Sequence, residues 1–544
     1  MKGGPATAGP PFSAATLGGV DRVVGQRVER ATARLSRPVA AMIGVLAVWA
    51  ALGVGHLVAG LLSAASSPFL AVGDAVVRLS PQSVTEFAKN TFGTSDKLVL
   101  LSAMFVVITL VGALAGLLSR ERPNTGAWLI AALGGLGALA VYFSPIFAEL
   151  DLVAPAAAML AGIGALRWLH HLGLRARPAA GGGVSRRSVL VGGSAAVGLG
   201  ALASAGVGAL VGRDVQASRA DVTAQLARAT YAERAAQAPA AAAFPQLGTP
   251  TYLTANADFY RIDTALRIPT LSAADWRLRV HGMVERELTL SFADLVGRPL
   301  VERPITMTCV SNPVGGDLIS TANFIGVPLR DILLEAGLDP AADQLFSRST
   351  EGFYTGTPTS VVMEPQRGAL LAIGMNGEAL PPEHGFPVRM VVPGLYGYVS
   401  ATKWVVDIEA TTFADPLRKG FWFERGWSRL GPIKTMARID TPRGSASVTG
   451  PVTVAGIAWA QHTGIAKVEV RVDGGPWQAA TLSAEVSVDT WRMWRAELAL
   501  PAGSHTVEAR ATDKGGYVQT ELRAEPIPNG ASGWPSVRFT VNHA

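Results

Sequence analysis

Thiols are all but absent: the 544 residues contain one cysteine, Cys309. A lone cysteine excludes an intrachain disulfide, and its ordinary reading is a small buried apolar side chain. Charge is scarce too, at 16% of residues, while 49% are hydrophobic. Soluble domains rarely pair so little charge with so much apolar content, so part of the chain belongs in a bilayer. Lys and Arg exceed Asp and Glu by six. That excess does not call for nucleic acid, because many of the arginines stand beside hydrophobic runs, where membrane topology accounts for them. The length suggests about three or four units of ordinary domain size.

What is plentiful is apolar sequence near the N-terminus. Five runs stand out, at Pro38–Leu62, Leu98–Leu118, Ala127–Phe143, Leu152–Leu169 and Ser188–Val211. The first, second and fifth reach the ~20 residues a helix needs to cross the hydrocarbon core, and the other two are shorter. The expectation is a basic tail over 1–37, then a membrane anchor of about five helices over 38–212. Arg22, Arg27, Arg30, Arg34 and Arg37 precede the first run, and Arg120 and Arg122 follow the second. Arg167, Arg175, Arg177, Arg186 and Arg187 lie at or between the fourth and fifth. The alternate loops carry Asp74, Glu86, Asp96, Glu149 and Asp151 against Arg78, Lys89 and Lys97. Positive-inside bias then puts the N-terminus and the 167–187 loop in the cytoplasm, and everything after Val211 outside it. The stretch "VSRRSVLVGGSAAVGLGALA", with Ser-Arg-Arg at 185–187, resembles an internal twin-arginine export signal, a route that carries folded proteins.

Residues 213–250, rich in Ala, Pro and Gln, read as a helical stalk running into a linker. From 251 to 430 the pattern is α+β. "WRLRVHG" alternates as a half-buried strand, and "ELTLSFADL" gives a strand followed by a helix start at Ser291. "GVPLRDILLEAGL" places Leu329, Ile332 and Leu333 at helical spacing, closed by Gly337. "FPVRMVVPG" and "TKWVVDIEA" read as buried strands. From 431 to 544 short alternating strands separated by turn signals, such as Asp473-Gly474-Gly475, predict an immunoglobulin-like β-sandwich that serves interaction or packing.

Cys309 follows the β-prone run "ITMT" and precedes "VSNPVGG", whose glycines let backbone approach a bulky ligand. Downstream, His384, Arg389 and Lys403 are three donors separated by turns set by Pro and Gly, with Arg261 upstream. Such a set suits a phosphorylated or otherwise anionic ligand.

The segments "NADFYRID", "TMTCVSN", "MNGEALPPEHGFPVRMVVPG" and "GYVSATKW" resemble the sulfite oxidase family of molybdenum-molybdopterin enzymes over roughly 250–430. The sandwich resembles that family's dimerisation domain. The resemblance implies a molybdopterin cofactor, with Cys309 giving its thiolate to molybdenum. It further implies pterin contacts from Asn256, Tyr260, Arg261, Thr350, His384, Arg389, Ser400 and Lys403, with Arg261 also facing the reaction centre. Animal and plant sulfite oxidases follow the cysteine with Gly-Asn-Arg, where this chain has Ser311-Asn312-Pro313. They also carry a Tyr where Ile373 stands. A sulfite pocket here would lack one positive charge and one hydroxyl.

The function expected is two-electron oxo transfer on a small sulfur or nitrogen oxo compound outside the cytoplasm. Electrons would pass through a cytochrome or quinone-linked partner, and two chains could pair through the sandwich. A methionine-sulfoxide or other S- or N-oxide reductase is the alternative direction, and a non-catalytic envelope binding protein is the alternative class.

Overall fold

The computed structural model describes residues 35–62, 66–81, 95–144, 147–175 and 214–543, with isolated positions between 84 and 92. They belong to two compact units, divided between Gly208 and Ala209.

The first unit contains α1 (Arg37–Leu62), α2 (Pro68–Leu79), α3 (Asp96–Leu118), α4 (Pro123–Tyr142) and α5 (Val153–Arg175). Among the described residues four helices are long and apolar enough to cross a membrane: α1, α3, α4, and α5 together with its leading turn, Glu149–Leu174. They coincide with the first four expected runs. The fifth run, at 188–211, and the Ser-Arg-Arg motif at 185–187 lie outside the described residues, so four spans are seen where about five were expected. Helix α2 was not foreseen; with 12 residues it is too short to span about 30 Å of hydrocarbon. Phe105, Val107, Leu110, Trp128, Leu139 and Trp168 point outward, an exterior suited to lipid rather than water.

Helices α1 and α3 approach closely through Ala40 and Gly44 on one and Gly112 and Gly116 on the other. A side-chain carbon on Gly116 would run into the Ala40 carbonyl oxygen, and one on Gly44 into that of Gly112. Small residues four apart let backbones meet where no hydrophobic effect drives helices together.

The second unit opens with a helix over 214–228, and its Val215, Val222 and Leu226 are buried in the main core. Strand β1 (Tyr231–Glu233) then pairs in parallel with β4 (Leu300–Thr308). The stretch expected as stalk and linker is thus partly built into the fold, because one face of the helix carries apolar residues that the Ala-rich composition disguises.

Two sheets follow. One runs β1-β4-β5-β8-β10, with β5 (Ile319–Pro328), β8 (Leu370–Met375) and β10 (Arg389–Val391), and β9 (Glu378–Ala379) beside β8. The other runs β3-β2-β11-β6-β7, with β2 (Arg277–Gly282), β3 (Leu288–Ser291), β6 (Gln344–Ser349), β7 (Tyr354–Pro358) and β11 (Val405–Thr411). The expected helix start at Ser291 is real: its Oγ accepts from Asp294 N at 3.2 Å, and Asp294 Oδ2 accepts from Ser291 N at 2.7 Å. The helix Leu329–Ala336 buries Leu329, Ile332, Leu333 and Ala336 on one face and ends at Gly337, with φ of 68°. Burying each Leu or Ile there stabilises by about 1.5–3 kcal/mol.

The remaining strands form a two-sheet sandwich. One sheet is β12-β14-β18-β17, from β12 (Met436–Thr441), β14 (Val452–Trp459), β17 (Thr481–Leu482) and β18 (Arg492–Leu498). The other is β13-β20-β19-β15-β16, from β13 (Ser447–Thr449), β15 (Ile465–Val472), β16 (Gln478–Ala479), β19 (Gly503–Asp513) and β20 (Ser536–Asn542). Val454, Ala458, Val468, Val507 and Phe539 fill the space between the sheets. Met436, Ile457, Trp459, Trp491 and Met493 instead join the core of the preceding domain. The first sheet is therefore buried on both faces, which makes 214–543 one packed body.

Gly116→Leu is expected to destabilise the detergent-extracted protein by about 1–3 kcal/mol through overpacking of α1 against α3. A lowered melting temperature beside an unchanged Gly135→Leu control, a position with open space, checks it.

Candidate functional site

Cys309 sits where β4 ends, and the loop behind it folds back on itself. Cys309 N donates to Leu318 O at 3.0 Å, Asn312 N to Cys309 O at 3.1 Å, and Leu318 N to Asn312 Oδ1 at 3.0 Å. Ser311 N points at Cys309 Sγ from 3.4 Å. Gly316 is required at this loop, because a side-chain carbon there would overlap Asn312 Oδ1. The thiol is buried, and the loop from 310 to 318 carries no cationic residue, only Asp317.

The cations come from elsewhere. Arg389 starts β10 and is 3% exposed, yet its guanidinium hydrogen-bonds to carbonyl oxygens, His384 O at 3.1 Å and Met390 O and Ala401 O at 3.5 Å, and lies 5.8 Å from the centre of the Phe324 ring. Burial pulls this guanidinium down to about 10. Lys403 Nζ donates to Glu383 O at 2.8 Å and lies 3.6 Å from Asp263 Oδ2. Asp263 also accepts from Arg261 Nε at 2.8 Å, so one nearly buried carboxylate faces two cations. Gly385, with φ of 109°, lets these pieces meet: a side-chain carbon there would stand 3.1 Å from Arg389 Cβ and 3.2 Å from Lys403 Cα.

His384 is buried with its ring edge-on to Phe259, at 5.3 Å between centroids. Burial first, then Lys403 and Arg389, push its imidazole down to about 3, so it is neutral at ordinary pH. Its Nδ1 is buried and makes no hydrogen bond, and the same holds for Thr350 Oγ1 and Thr308 Oγ1. Buried polar atoms are ordinarily paired, so these three keep hydrogen-bonding capacity that the described residues leave unused. Tyr260 stacks on Phe259 at 5.4 Å, and burial, with Cys309 adding to it, holds its phenol far above its usual range.

A chain of electrostatic contacts joins these residues: Cys309 to Tyr260, Tyr260 to Arg389, and Arg389, Lys403 and Arg261 to His384. Thr350 joins through its N–H, which donates to Trp404 O at 3.0 Å. Two expected contacts look different. The Asn256 amide donates to Met375 O at 3.2 Å and Glu378 Oε1 at 2.6 Å, and its Oδ1 accepts from Asn376 Nδ2 at 2.9 Å. That side chain secures the Asn376-Gly377 turn, and it is the Asn256 backbone that reaches His384. The Ser400 hydroxyl turns back on Leu395 O and Tyr396 O, at 3.1 and 3.0 Å. Asp263 was missed by the sequence reading, although "RID" places it two residues from Arg261 and so on the same side of an extended segment. Tyr396 was missed too; its phenol, pushed up to about 12 by burial, lies near enough to Cys309 to feel its charge. Ile373 is fully buried in β8 and offers no hydroxyl. A cavity lined by Gln344, Thr355, Tyr398, Arg418, Lys419 and Arg429 shares no residue with this cluster.

A soft thiol, buried cations in excess of carboxylate, and unpaired donors together fit an anionic, metal-bearing organic cofactor. The chain matches the family described as "Oxidoreductase molybdopterin binding domain" over 265–422, and "Bacterial Ig domain" over 436–509. It is thus a molybdopterin-binding oxidoreductase with a C-terminal immunoglobulin-like domain. The sulfite oxidase of Gallus gallus is 31% identical over 324 residues, which cover 51% of this chain and 70% of that protein. The mitochondrial sulfite oxidase of Homo sapiens is 31% identical over 331 residues, 52% of this chain and 60% of that protein. The NADH nitrate reductase of Solanum lycopersicum is 31% identical over 171 residues, 27% of this chain and 19% of that protein. The chain belongs to the sulfite oxidase family of molybdopterin oxidoreductases, while spanning about 60% of the length of the mitochondrial relatives.

Burial outweighs Asp263 and brings the Lys403 amine from 10.5 down to about 7. Between those values the unfolded chain binds more protons than the folded one, so folded stability rises with pH across that window. Cofactor-free protein is expected to melt higher at about pH 9 than at about pH 6.5, and Lys403→Met to remove that slope. An anion seated on Lys403 raises the amine's pKa again, so its affinity falls as pH climbs through the same window.

Proposed function

We propose that Cys309 ligates the molybdenum of the cofactor. His384, Arg389 and Lys403, supported by Arg261, Tyr260 and Thr350, hold the anionic pterin, with Ser400 and the Asn256 backbone at its edge. The observation that carries this reading is Arg389, a buried guanidinium surrounded by carbonyl oxygens beside an unpaired His384 Nδ1. When bound, the cofactor supplies two-electron oxo-transfer chemistry. The chain's own contribution is charge and orientation: Lys403 held beside Asp263 and protonated once an anion is seated on it, His384 neutral, and the 310–318 loop shaping access to the sulfur.

The substrate is a small sulfur or nitrogen oxo compound. The absence of a cation in the 310–318 loop and of a hydroxyl at Ile373 favours a neutral sulfoxide or N-oxide over a dianion such as sulfite. A cation that does reach this loop, Arg438, donates to Gly316 O at 3.1 Å and is offset by Asp440. Reduction would draw electrons from a cytochrome or quinone-linked partner, for which a membrane anchor gives a docking plane.

The same reading puts the catalytic unit outside the cytoplasm as part of a multi-pass membrane protein, on the distribution of arginines and a fifth crossing at 188–211. Pairing of two chains through the sandwich is compatible with it. A reporter enzyme active only outside the cytoplasm is expected to work when fused after 250 and to fail when fused after 178; activity at both points, or at neither, rejects the topology.

The direct test is molybdenum in membrane-extracted protein, parent beside Cys309→Ala, followed by turnover of sulfite and methionine sulfoxide. The parent should carry near-stoichiometric metal and reduce the sulfoxide, and Cys309→Ala should lose turnover. Arg389→Met is expected to lower cofactor content about tenfold or more, as loss of an uncompensated anchoring charge would. Metal-free parent protein from cells competent in cofactor synthesis would leave an anchored binding protein instead.

A further inference from the structure

The C-terminal sandwich is more than a packing or pairing module. Thr306 lies three residues before Cys309, on the half of β4 that β1 does not reach, since β1 pairs only with Leu300 and Val301. An open strand edge needs covering, and here the sandwich covers it. Thr306 N donates to Asp489 O at 2.9 Å, Gln461 Nε2 donates to Thr306 O at 3.0 Å, and Trp491 N donates to Thr306 Oγ1 at 2.7 Å. The backbone N–H and C=O of Thr306 are thus held by the other domain, and its hydroxyl is shared between Trp491 N and Thr321 Oγ1 of β5. His462 Nδ1 meets Asp489 Oδ1 at 2.9 Å, joining the two sandwich segments that do the holding. On the far limb of the loop, Arg438 from β12 donates to Gly316 O at 3.1 Å while its Nε bonds Asp440 Oδ1 at 2.6 Å.

Gln461 is itself buried, and of its two amide atoms only Nε2 is engaged, on Thr306 O, while Oε1 has no hydrogen-bond partner among the described residues.

We propose that Gln461 and Arg438 are positioning residues that clamp both limbs of the Cys309 loop, so that the β-sandwich sets the presentation of the thiolate. This rests on the reading of Cys309 as the metal ligand, but its first test does not need the metal. Cys309 is the only thiol in the chain, so alkylation by iodoacetamide reports on this loop alone. In protein from a host lacking pterin synthesis, Gln461→Met and Arg438→Met should react about tenfold faster than the parent, in line with the usual weight of residues that orient a ligand. Arg438→Lys should restore the parent rate. Arg471→Met, a sandwich substitution on β15 away from the clamp, should not change it. Equal rates in parent and clamp variants whose melting curves match the parent would overturn the proposal. Variants that fail to fold are replaced by Gln461→Glu, which keeps the shape and removes the donor; an unchanged rate there also overturns it.

In loaded protein the clamp variants should shift the Mo(V) resonance while retaining metal. A resonance altered by Cys309→Ser but untouched by Gln461→Met would reject the clamp and keep the ligand. A resonance indifferent to Cys309→Ser would reject the ligand reading itself.

Discussion

A guanidinium buried among carbonyl oxygens is the constraint from which the rest follows. Arg389 has no carboxylate among its partners, Lys403 shares one with Arg261, and His384 is too deeply buried to carry charge. Positive charge inside a protein is costly unless an anion meets it. The fold around these residues is a frame that keeps them fixed. Gly385 brings two of the donors onto neighbouring backbone, and the Asn256 to Asn376 contact fixes the turn behind β8.

The frame extends further than domain labels imply. The sheet β12-β14-β18-β17 turns one face to its own sandwich and the other to the oxidoreductase core, where Ile457, Trp459 and Met493 contribute. At the other end of the unit, Leu226 packs onto Gly374 of β8 from the helix over 214–228. Residues at both ends of this body thus press on the strands that carry the site.

Much of this was legible beforehand. The spacing of Leu329, Ile332 and Leu333 with Gly337 behind them marked a helix, since burial follows the 3.6-residue period and only a permissive residue closes it. The alternation of Val507, Ala509 and Ala511 marked a strand for the same kind of reason. Cys309, His384, Arg389 and Lys403 could be put forward as candidates because the motifs around them resemble those of the sulfite oxidase family. Other features depended on contacts that local pattern does not carry. Asp263 acquires its importance only through Lys403, which is remote in sequence. Helix α2 falls below spanning length and carries Asp74 and Arg78, so it reads as loop. Gln461 and Trp491 look like ordinary sandwich residues until Thr306 is placed against them.

The grip on Thr306 also imposes an order of events during synthesis. The segment bearing Cys309 emerges from the ribosome well before Asp489 and Trp491 exist, and its strand edge stays open until they arrive. A chain that stops short of Asp489 would keep its cysteine but lack the Asp489 and Trp491 contacts to Thr306, three residues away.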